Sequence, residues 1–224
     1  MTTQLTTKKL EIYEKIREVY IMDAKTCLKL LREIKHVAFA TIDKDGNPQV
    51  RIIDVMIVEN ETLYFATSRG KDFHSQLIES RKVAITGLTK NYESIRLMGN
   101  VYLVENQKTW LDRVFEENPV MNDVYPEDSR YILDVFAIDE GEMEYFNLNQ
   151  SPIYREAFSL KSTKITPKGF YITDKCIGCS KCARNCPQQC ISEGKPYYIN
   201  QENCLHCGLC YEICPVEAII RRGE

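Results

Sequence analysis

The sequence lacks long apolar runs and lacks an excess of charge of either sign. Its longest apolar segments, such as VAFATI at 37–42, are strand-sized, whereas a membrane span needs roughly 18 apolar residues. The 29 Lys and Arg side chains against 32 Asp and Glu leave a net charge of −3. This balance argues against a nucleic-acid partner and against a polybasic membrane anchor. The N-terminus, MTTQLTTKK, has no apolar core of the secretory type, so we expect a cytoplasmic protein.

Motifs of several enzyme classes are absent as well. There is no G-x-G-x-x-G and no P-loop, so nothing supports a nucleotide site on a Rossmann or Walker framework. The sequence has only three histidines, His36, His74 and His206, and it has neither H-E-x-x-H nor G-x-S-x-G. The common hydrolase mechanisms are therefore not indicated.

Cysteine, in contrast, is abundant and unevenly distributed. Nine of the ten cysteines lie between Cys176 and Cys214, and Cys27 stands alone. In a reducing compartment, such cysteines hold metal or do redox chemistry more often than they form disulfides. A polar, charged stretch of the type found in linkers precedes the cysteine-rich part. The predicted organisation is a domain at 1–150, a linker at 151–168 and a second domain at 169–224.

The clustered cysteines form an internal repeat with a period of 28 residues. Both copies, CIGCSKCARNCP and CLHCGLCYEICP, read C-x2-C-x2-C-x3-C-P and resemble bacterial ferredoxins that hold two 4Fe–4S clusters. In those proteins the fourth cysteine of each copy ligates the other cluster. The resemblance implies one set of ligands for cluster I and another for cluster II. These sets are Cys176, Cys179, Cys182 and Cys214 for cluster I, and Cys204, Cys207, Cys210 and Cys186 for cluster II.

Zinc sites, structural disulfides and a catalytic thiol are the alternatives for these cysteines. A zinc site needs four ligands, usually in two C-x2-C pairs, so the third and fourth cysteines of each copy would be superfluous. Cys190 is the cysteine left over, and the repeat aligns it with Ala218. We therefore expect Cys190 to be a small buried side chain, with a catalytic role as the alternative.

The N-terminal part has the pattern of short antiparallel strands with few helices. VAFATID and QVRIIDVMIV flank the turn KDGNP and predict a hairpin, and a last hairpin is predicted at 131–148 with its turn at DEGE. Helices are predicted within 8–34, at KDFHSQLIES and at NQKTWLDRVFEE. Strands at hairpin spacing favour an antiparallel barrel over a doubly wound sheet.

Residues 48–77 contain a candidate phosphate site. Arg51 lies on one predicted strand, Thr67 and Ser68 end the next, and Lys71 precedes a short helix. Two cations and two hydroxyls at a helix N-terminus suit a phosphate group. A solvated turn is the alternative, because such residues are common in loops.

The same segment and its neighbours at 25–148 resemble the pyridoxamine 5′-phosphate oxidase-like family of FMN-binding split barrels. The resemblance implies a six-stranded antiparallel split β-barrel with flanking helices, followed here by a small α+β ferredoxin-like domain. It also implies that Arg51 and Lys71 pair with the FMN phosphate, that Thr67 and Ser68 hydrogen-bond to it, and that the backbone of Ile52 and Ile53 runs beside the flavin. A homodimer with FMN at its interface is implied too, and haem or a deazaflavin remain alternative cofactors.

The expected function is that of an oxidoreductase that uses FMN and two 4Fe–4S clusters. Electrons would pass between the clusters and FMN, and between FMN and a small organic substrate, with a ferredoxin or another redox protein as external partner. The alternatives are a non-catalytic electron carrier or redox sensor, a nitroimidazole reductase, and a pyridoxamine phosphate oxidase. The last lacks support because the Arg-x-His motif of those oxidases is absent. No catalytic residue can be assigned from the sequence.

Overall fold

The computed structural model describes residues 22–223, so the predicted helical stretch before residue 22 lies outside the described residues. Its largest element is a curled antiparallel sheet in the order β2-β1-β5-β6-β7-β4-β3, with β8 paired to β7. The predicted split barrel with flanking helices and a small C-terminal domain is confirmed, although the sheet has eight strands rather than six. The strands are β1 (His36–Ile42), β2 (Pro48–Asp54), β3 (Ile57–Glu59), β4 (Thr62–Ser68), β5 (Lys82–Leu88), β6 (Glu93–Leu103), β7 (Leu133–Asn147) and β8 (Tyr154–Leu160).

Helices cover both sides of this sheet within residues 22–223. Asp23 precedes the first helix, and its carboxylate accepts a hydrogen bond from the Thr26 amide at 2.6 Å. Cys27, Leu28 and Leu31 follow at helical spacing and are fully buried in the barrel core. None of the helices in the described part is long and apolar enough to cross a membrane. The helices are α1 (Ala24–Ile34), α2 (Asp72–Ser80), α3 (Gln107–Glu117) and α4 (Met121–Val124), with a 3-10 helix at Glu127–Ile132.

The prediction of a hairpin at 131–148 is wrong. Leu133–Asn147 forms one strand of 15 residues that runs through DEGE without turning. Gly141 lies opposite Gly99 of β6, and a Cβ atom on Gly141 would lie only 2.4 Å from the Met98 carbonyl oxygen. The glycine therefore lets two backbones approach closely and does not make a turn.

Part of the stretch interpreted as a linker, 151–168, belongs to the sheet. Tyr154–Leu160 forms β8 and pairs with β7 along its whole length. Tyr154, Phe158 and Leu160 lie on one face of the strand and pack against the barrel core. The charged side chains within this strand obscured the alternation of apolar and polar residues that would have indicated a strand.

The C-terminal domain consists of two small antiparallel strand pairs and two short helices. The third cysteine of each repeat, Cys182 or Cys210, lies in one of these helices. The domain has its own apolar core, which includes Phe170, Tyr197 and Ile219. The elements are β9 (Phe170–Ile172) paired with β12 (Ile219–Arg221), β10 (Ile191–Ser192) paired with β11 (Tyr198–Ile199), α5 (Lys181–Asn185), α6 (Leu209–Glu212) and a 3-10 helix at Gln201–Asn203.

Candidate cofactor sites

A cavity of about 630 Å³ lies between β2, the turn after β1 and the start of α2. Its walls include four residues of the predicted flavin site, namely Arg51, Ile52, Ile53 and Lys71. Thr67 and Ser68, at the end of β4, are not part of the described lining. The walls also carry the acidic residues Asp43, Asp45, Asp72 and Glu79. The structure thus brings the two predicted cations to one cavity and leaves the two hydroxyls outside it.

Arg51 is held in this cavity by uncharged partners. One guanidinium nitrogen donates to Thr41 Oγ1 at 2.5 Å, and the other donates to Gln76 Oε1 at 3.0 Å. The guanidinium carbon lies 4.5 Å from the centre of the Phe73 ring. Burial lowers the pKa of Arg51 from its ordinary value, and no carboxylate in the described residues forms an ion pair with it. A half-buried, uncompensated cation is a favourable partner for an anionic ligand.

Lys71 and the start of α2 lie on the same cavity, where Lys71 adds a second cation to Arg51. Lys71 is exposed, has extended backbone and immediately precedes the helix, whose first turn has no side-chain cap. Free amides at a helix N-terminus attract anions. The Thr67 hydroxyl is buried and has no hydrogen-bond partner in the described structure. Arg51, Lys71 and the amides at the start of α2 fit a bound phosphate group, whereas the Thr67 hydroxyl is not part of the cavity lining.

Two residues that orient Arg51 were missed by sequence reasoning. Thr41 and Gln76 are both buried, and the Thr41 hydroxyl donates to Gln76 Oε1 at 2.5 Å. The available signal was Gln76 itself, because it lies three residues after Phe73 and beside Leu77 on the apolar face of the predicted helix. A buried polar side chain on such a face needs a partner.

His74 lies on α2 and contacts a different group of residues. Its Nε2 atom forms a hydrogen bond with Asp134 Oδ2 at 2.8 Å, and its ring packs edge-on against Phe136. The other oxygen of Asp134 accepts a hydrogen bond from Arg69 at 2.9 Å. These contacts join α2 to β7, which gives His74 a structural role.

Eight cysteines line two small cavities in the C-terminal domain. Cys176, Cys179, Cys182 and Cys214 surround one cavity, and Cys186, Cys204, Cys207 and Cys210 surround the other. The structure therefore groups the cysteines into the two sets that the ferredoxin resemblance implies. Within residues 22–223, no three or more His, Cys, Asp and Glu side chains meet closely enough to hold one metal ion. The thiols instead surround a volume, which fits a cluster with a separate iron at each corner.

Cys190 adds a fifth thiol to the wall of the second cavity. Its sulfur lies 3.5 Å from the Cys186 sulfur, and the residue is buried in the core of the domain. Hydrogen bonding to the Cys204 thiol and burial both raise the pKa of Cys190 far above its ordinary value. A protonated, buried thiol is a poor nucleophile, so these contacts favour the packing role.

The C-terminal domain contacts the barrel through residues next to the second cavity. Arg155 of β8 donates to the Cys204 carbonyl at 3.2 Å and to Glu144 Oε1 at 3.1 Å. The Asn203 side chain donates to the Ile153 carbonyl at 2.8 Å. Burial alone would raise the pKa of Glu144, but Arg155 and Lys168 hold it below its ordinary value.

His206 lies beside this contact, in the loop between Cys204 and Cys207. Burial, followed by the charge of Arg155, lowers the pKa of His206 to about 4, so its ring is neutral at pH 7. A Cβ atom on Gly169 would lie 2.7 Å from both His206 Nε2 and Gln201 Oε1. A side chain at position 169 would therefore collide with His206 and Gln201. The φ of +93° at this position also favours glycine.

Comparisons with known proteins match both parts of the chain. The family model described as pyridoxamine 5′-phosphate oxidase matches residues 24–130, and the model described as a 4Fe–4S dicluster domain matches residues 175–218. A solved structure of a NimC/NimA family protein from Clostridium acetobutylicum superposes with a TM-score of 0.54 and 26% identity. The superposed part is 64% of this chain and 96% of that protein.

Curated relatives match the C-terminal domain. Ferredoxin 7Fe of Hydrogenibacillus schlegelii is 45% identical over 53 residues, which are 22% of this chain and 68% of that protein. Pyruvate synthase subunit PorD of Methanothermobacter marburgensis is 46% identical over 59 residues, which are 26% of this chain and 70% of that protein. Both similarities lie in the C-terminal domain. The pyridoxamine 5′-phosphate oxidase family model matches residues 24–130, which are most of the remaining chain.

Proposed function

Since this chain belongs to the pyridoxamine 5′-phosphate oxidase-like split-barrel family and carries a ferredoxin-type 4Fe–4S dicluster domain, we propose that it is an FMN-dependent oxidoreductase. It would pass electrons between two 4Fe–4S clusters and FMN, and between FMN and a small organic substrate. The observation that carries this proposal is the uncompensated Arg51 cation in a cavity that also contains Lys71. The same chain holds two four-cysteine cavities.

The residues of the barrel cavity suit the phosphate end of FMN. Arg51 would bind the phosphate with the guanidinium N–H groups that Thr41 and Gln76 leave free, because these partners fix its direction without neutralising its charge. Lys71 and the first amides of α2 would bind the other phosphate oxygens. When bound, FMN supplies a ring that exchanges either single electrons or a hydride.

Each cysteine set would hold one 4Fe–4S cluster through its thiolates, and such clusters exchange single electrons. The contact between Arg155 and the Cys204 loop holds one set against the barrel. Such a fixed contact favours electron exchange within the chain over exchange by diffusion.

The outer face of the sheet supports the proposal that two copies associate. Val50 and Ile52 of β2 and Met98 of β6 expose 72%, 63% and 49% of their surface. Ala38 and Ala40 lie beside them on β1, opposite Ile52 and Val50. An apolar face of this kind, adjoining the cavity through Ile52, suits a second copy of the chain that would complete the flavin site.

The cavity favours an enzyme over a pure electron carrier. Its walls combine the apolar Ile53 and Phe73 with the polar Gln49, Ser75 and Gln76. A closed apolar flavin site would be enough for a carrier, whereas polar groups around an open cavity can orient a small substrate. The nitroimidazole reductase considered from the sequence stays among the alternative activities to be tested.

The first experiment is the anaerobic quantification of iron, acid-labile sulfide and released flavin per chain. We expect about eight irons, about eight sulfides and one FMN. Eight irons without any flavin would contradict the flavoenzyme and leave the ferredoxin domain standing. Zinc in place of iron, in protein never exposed to air, would contradict the electron-transfer function as a whole.

Two neighbouring cysteines provide a matched pair for this experiment. Cys186 and Cys190 lie 3.5 Å apart on the wall of the same cavity. Cys186→Ala should lose about half of the iron, because a cluster would lose a ligand, while Cys190→Ala should keep about eight irons. Equal iron loss in both variants would contradict the proposed ligand sets.

A further inference from the structure

The two halves of the C-terminal domain differ in charge although their cysteine motifs are the same. Residues 174–187 contain one acidic residue, Asp174, and three basic residues, which gives a net charge of +2. The basic residues are Lys175, Lys181 and Arg184. The corresponding residues 202–215 contain two glutamates and no lysine or arginine, which gives a net charge of −2. The positions that match the three cations are Asn203, Leu209 and Glu212. This asymmetry is not needed for holding clusters, since both halves keep the same ligands.

The two halves also differ in what covers them. The loop of the second half contacts the barrel, because Arg155 binds the Cys204 carbonyl and Asn203 binds the Ile153 carbonyl. Three of the five cysteines around the second cavity, Cys190, Cys204 and Cys210, are buried, whereas none of those around the first cavity is. The cysteines around the first cavity are therefore more exposed than the predicted ligands around the second.

The first half carries one exposed apolar side chain and three exposed cations. Ile177, between Cys176 and Cys179, has 65% of its surface exposed, whereas the matching Leu205 is partly buried. Lys175, Lys181 and Arg184 are exposed, and none of them forms an ion pair with the described residues. We call Lys175, Ile177, Lys181 and Arg184 the basic face.

We propose that the basic face binds an acidic one-electron carrier protein and brings it to the cysteine set of cluster I. An apolar centre with a charged rim is the usual anatomy of a protein–protein contact, and complementary charge increases association rates. Asp174 and Glu217 lie near the face, and including both still leaves a net charge of +1. The inference rests on the proposed electron-transfer function, and it adds that the second cluster faces the barrel while the first meets the partner. One electron passes between partner and cluster, and no bond is formed or broken.

The test measures binding of an oxidised acidic bacterial ferredoxin, used as the probe, to the intact iron-loaded protein by titration calorimetry. Lys181→Glu should raise the Kd about tenfold at low ionic strength, because one attraction becomes a repulsion. Lys90→Glu, which makes the same charge change in the exposed turn between β5 and β6, should stay within about twofold of the original. Added salt should weaken binding to the unaltered protein more than to Lys181→Glu. No binding of the probe, or equal effects of the two variants, would overturn the proposal.

A second measurement separates this inference from the proposed function. Reduced ferredoxin should bleach the clusters of Lys181→Glu about tenfold more slowly than those of the unaltered protein, while dithionite should reduce both at similar rates. An equal rate with ferredoxin would overturn the docking site. If dithionite-reduced clusters fail to reduce bound FMN, the proposed function is wrong and the docking site still stands.

Discussion

Arg51 is the residue on which the flavin proposal depends most. Its hydrogen-bond partners, Thr41, Gln76 and the Gln49 carbonyl, are all uncharged, and no carboxylate in the described structure forms an ion pair with it. A salt bridge at this position would have made Arg51 a structural residue. The shared cavity of Arg51 and Lys71 at the start of α2 could be predicted from the sequence by residue type and order. The role of the buried Gln76 in orienting Arg51 could not be predicted. Gln76 contacts Thr41, which lies 35 residues away in the sequence.

Arg51→Ala should weaken FMN binding about tenfold to a hundredfold, because a charge-assisted hydrogen bond contributes roughly 1.5–3 kcal/mol. Arg51→Lys should lose less, since it keeps the charge. Equilibrium dialysis of FMN measures the effect, with Lys29→Ala on the exposed face of α1 as the control. Unchanged FMN affinity in Arg51→Ala, in protein whose unfolding temperature without flavin shows that it is folded, would place the phosphate elsewhere.

At the scale of elements, glycine in β7 and charge in β8 account for the two errors of sequence interpretation. DEGE contains the residues of a turn, yet the chain runs straight because Gly141 meets Gly99 on the adjacent strand. β8 has the charge of a linker, yet its alternate residues complete the barrel core. Local composition cannot distinguish these cases, because the deciding contacts come from strands distant in sequence.

Gly141→Ala should destabilise the barrel by about 1–3 kcal/mol, because the added methyl group would overlap the Met98 carbonyl and the strands would have to shift. Gly70→Ala is the matched control, since a Cβ atom there meets nothing within 4 Å. Urea unfolding followed by circular dichroism compares the two variants. Equal midpoints would show that β6 and β7 can separate at this point without cost.

For the whole molecule, the contact between Arg155 and the Cys204 loop joins the two domains. The Arg155 side chain is mostly buried and binds groups of both domains, the Cys204 carbonyl and Glu144. The presence of a cysteine-rich domain at the C-terminal end could be predicted from the cysteine distribution alone. The contact between Arg155 and the Cys204 loop could not be predicted, because residues 151–168 were interpreted as a linker, in which Arg155 has no fixed position.

Arg155→Ala should leave the iron content unchanged and slow the reduction of FMN by the reduced clusters severalfold, because the domains would no longer be held in one geometry. Stopped-flow absorbance after reduction by dithionite measures this rate. Lys164→Ala, an exposed residue in the segment between the domains, should have no effect. A rate that stays the same in Arg155→Ala would mean that this contact does not govern electron exchange.

The sequence by itself determined the chemistry expected of this protein's C-terminal domain, because C-x2-C-x2-C-x3-C-P places ligands by spacing along a short piece of chain. It also determined the barrel class, because alternation and turn residues are local properties. Only the tertiary structure decided which half of the ferredoxin domain is exposed and which residues surround Arg51. Both depend on contacts between distant segments, and such contacts follow from packing in three dimensions.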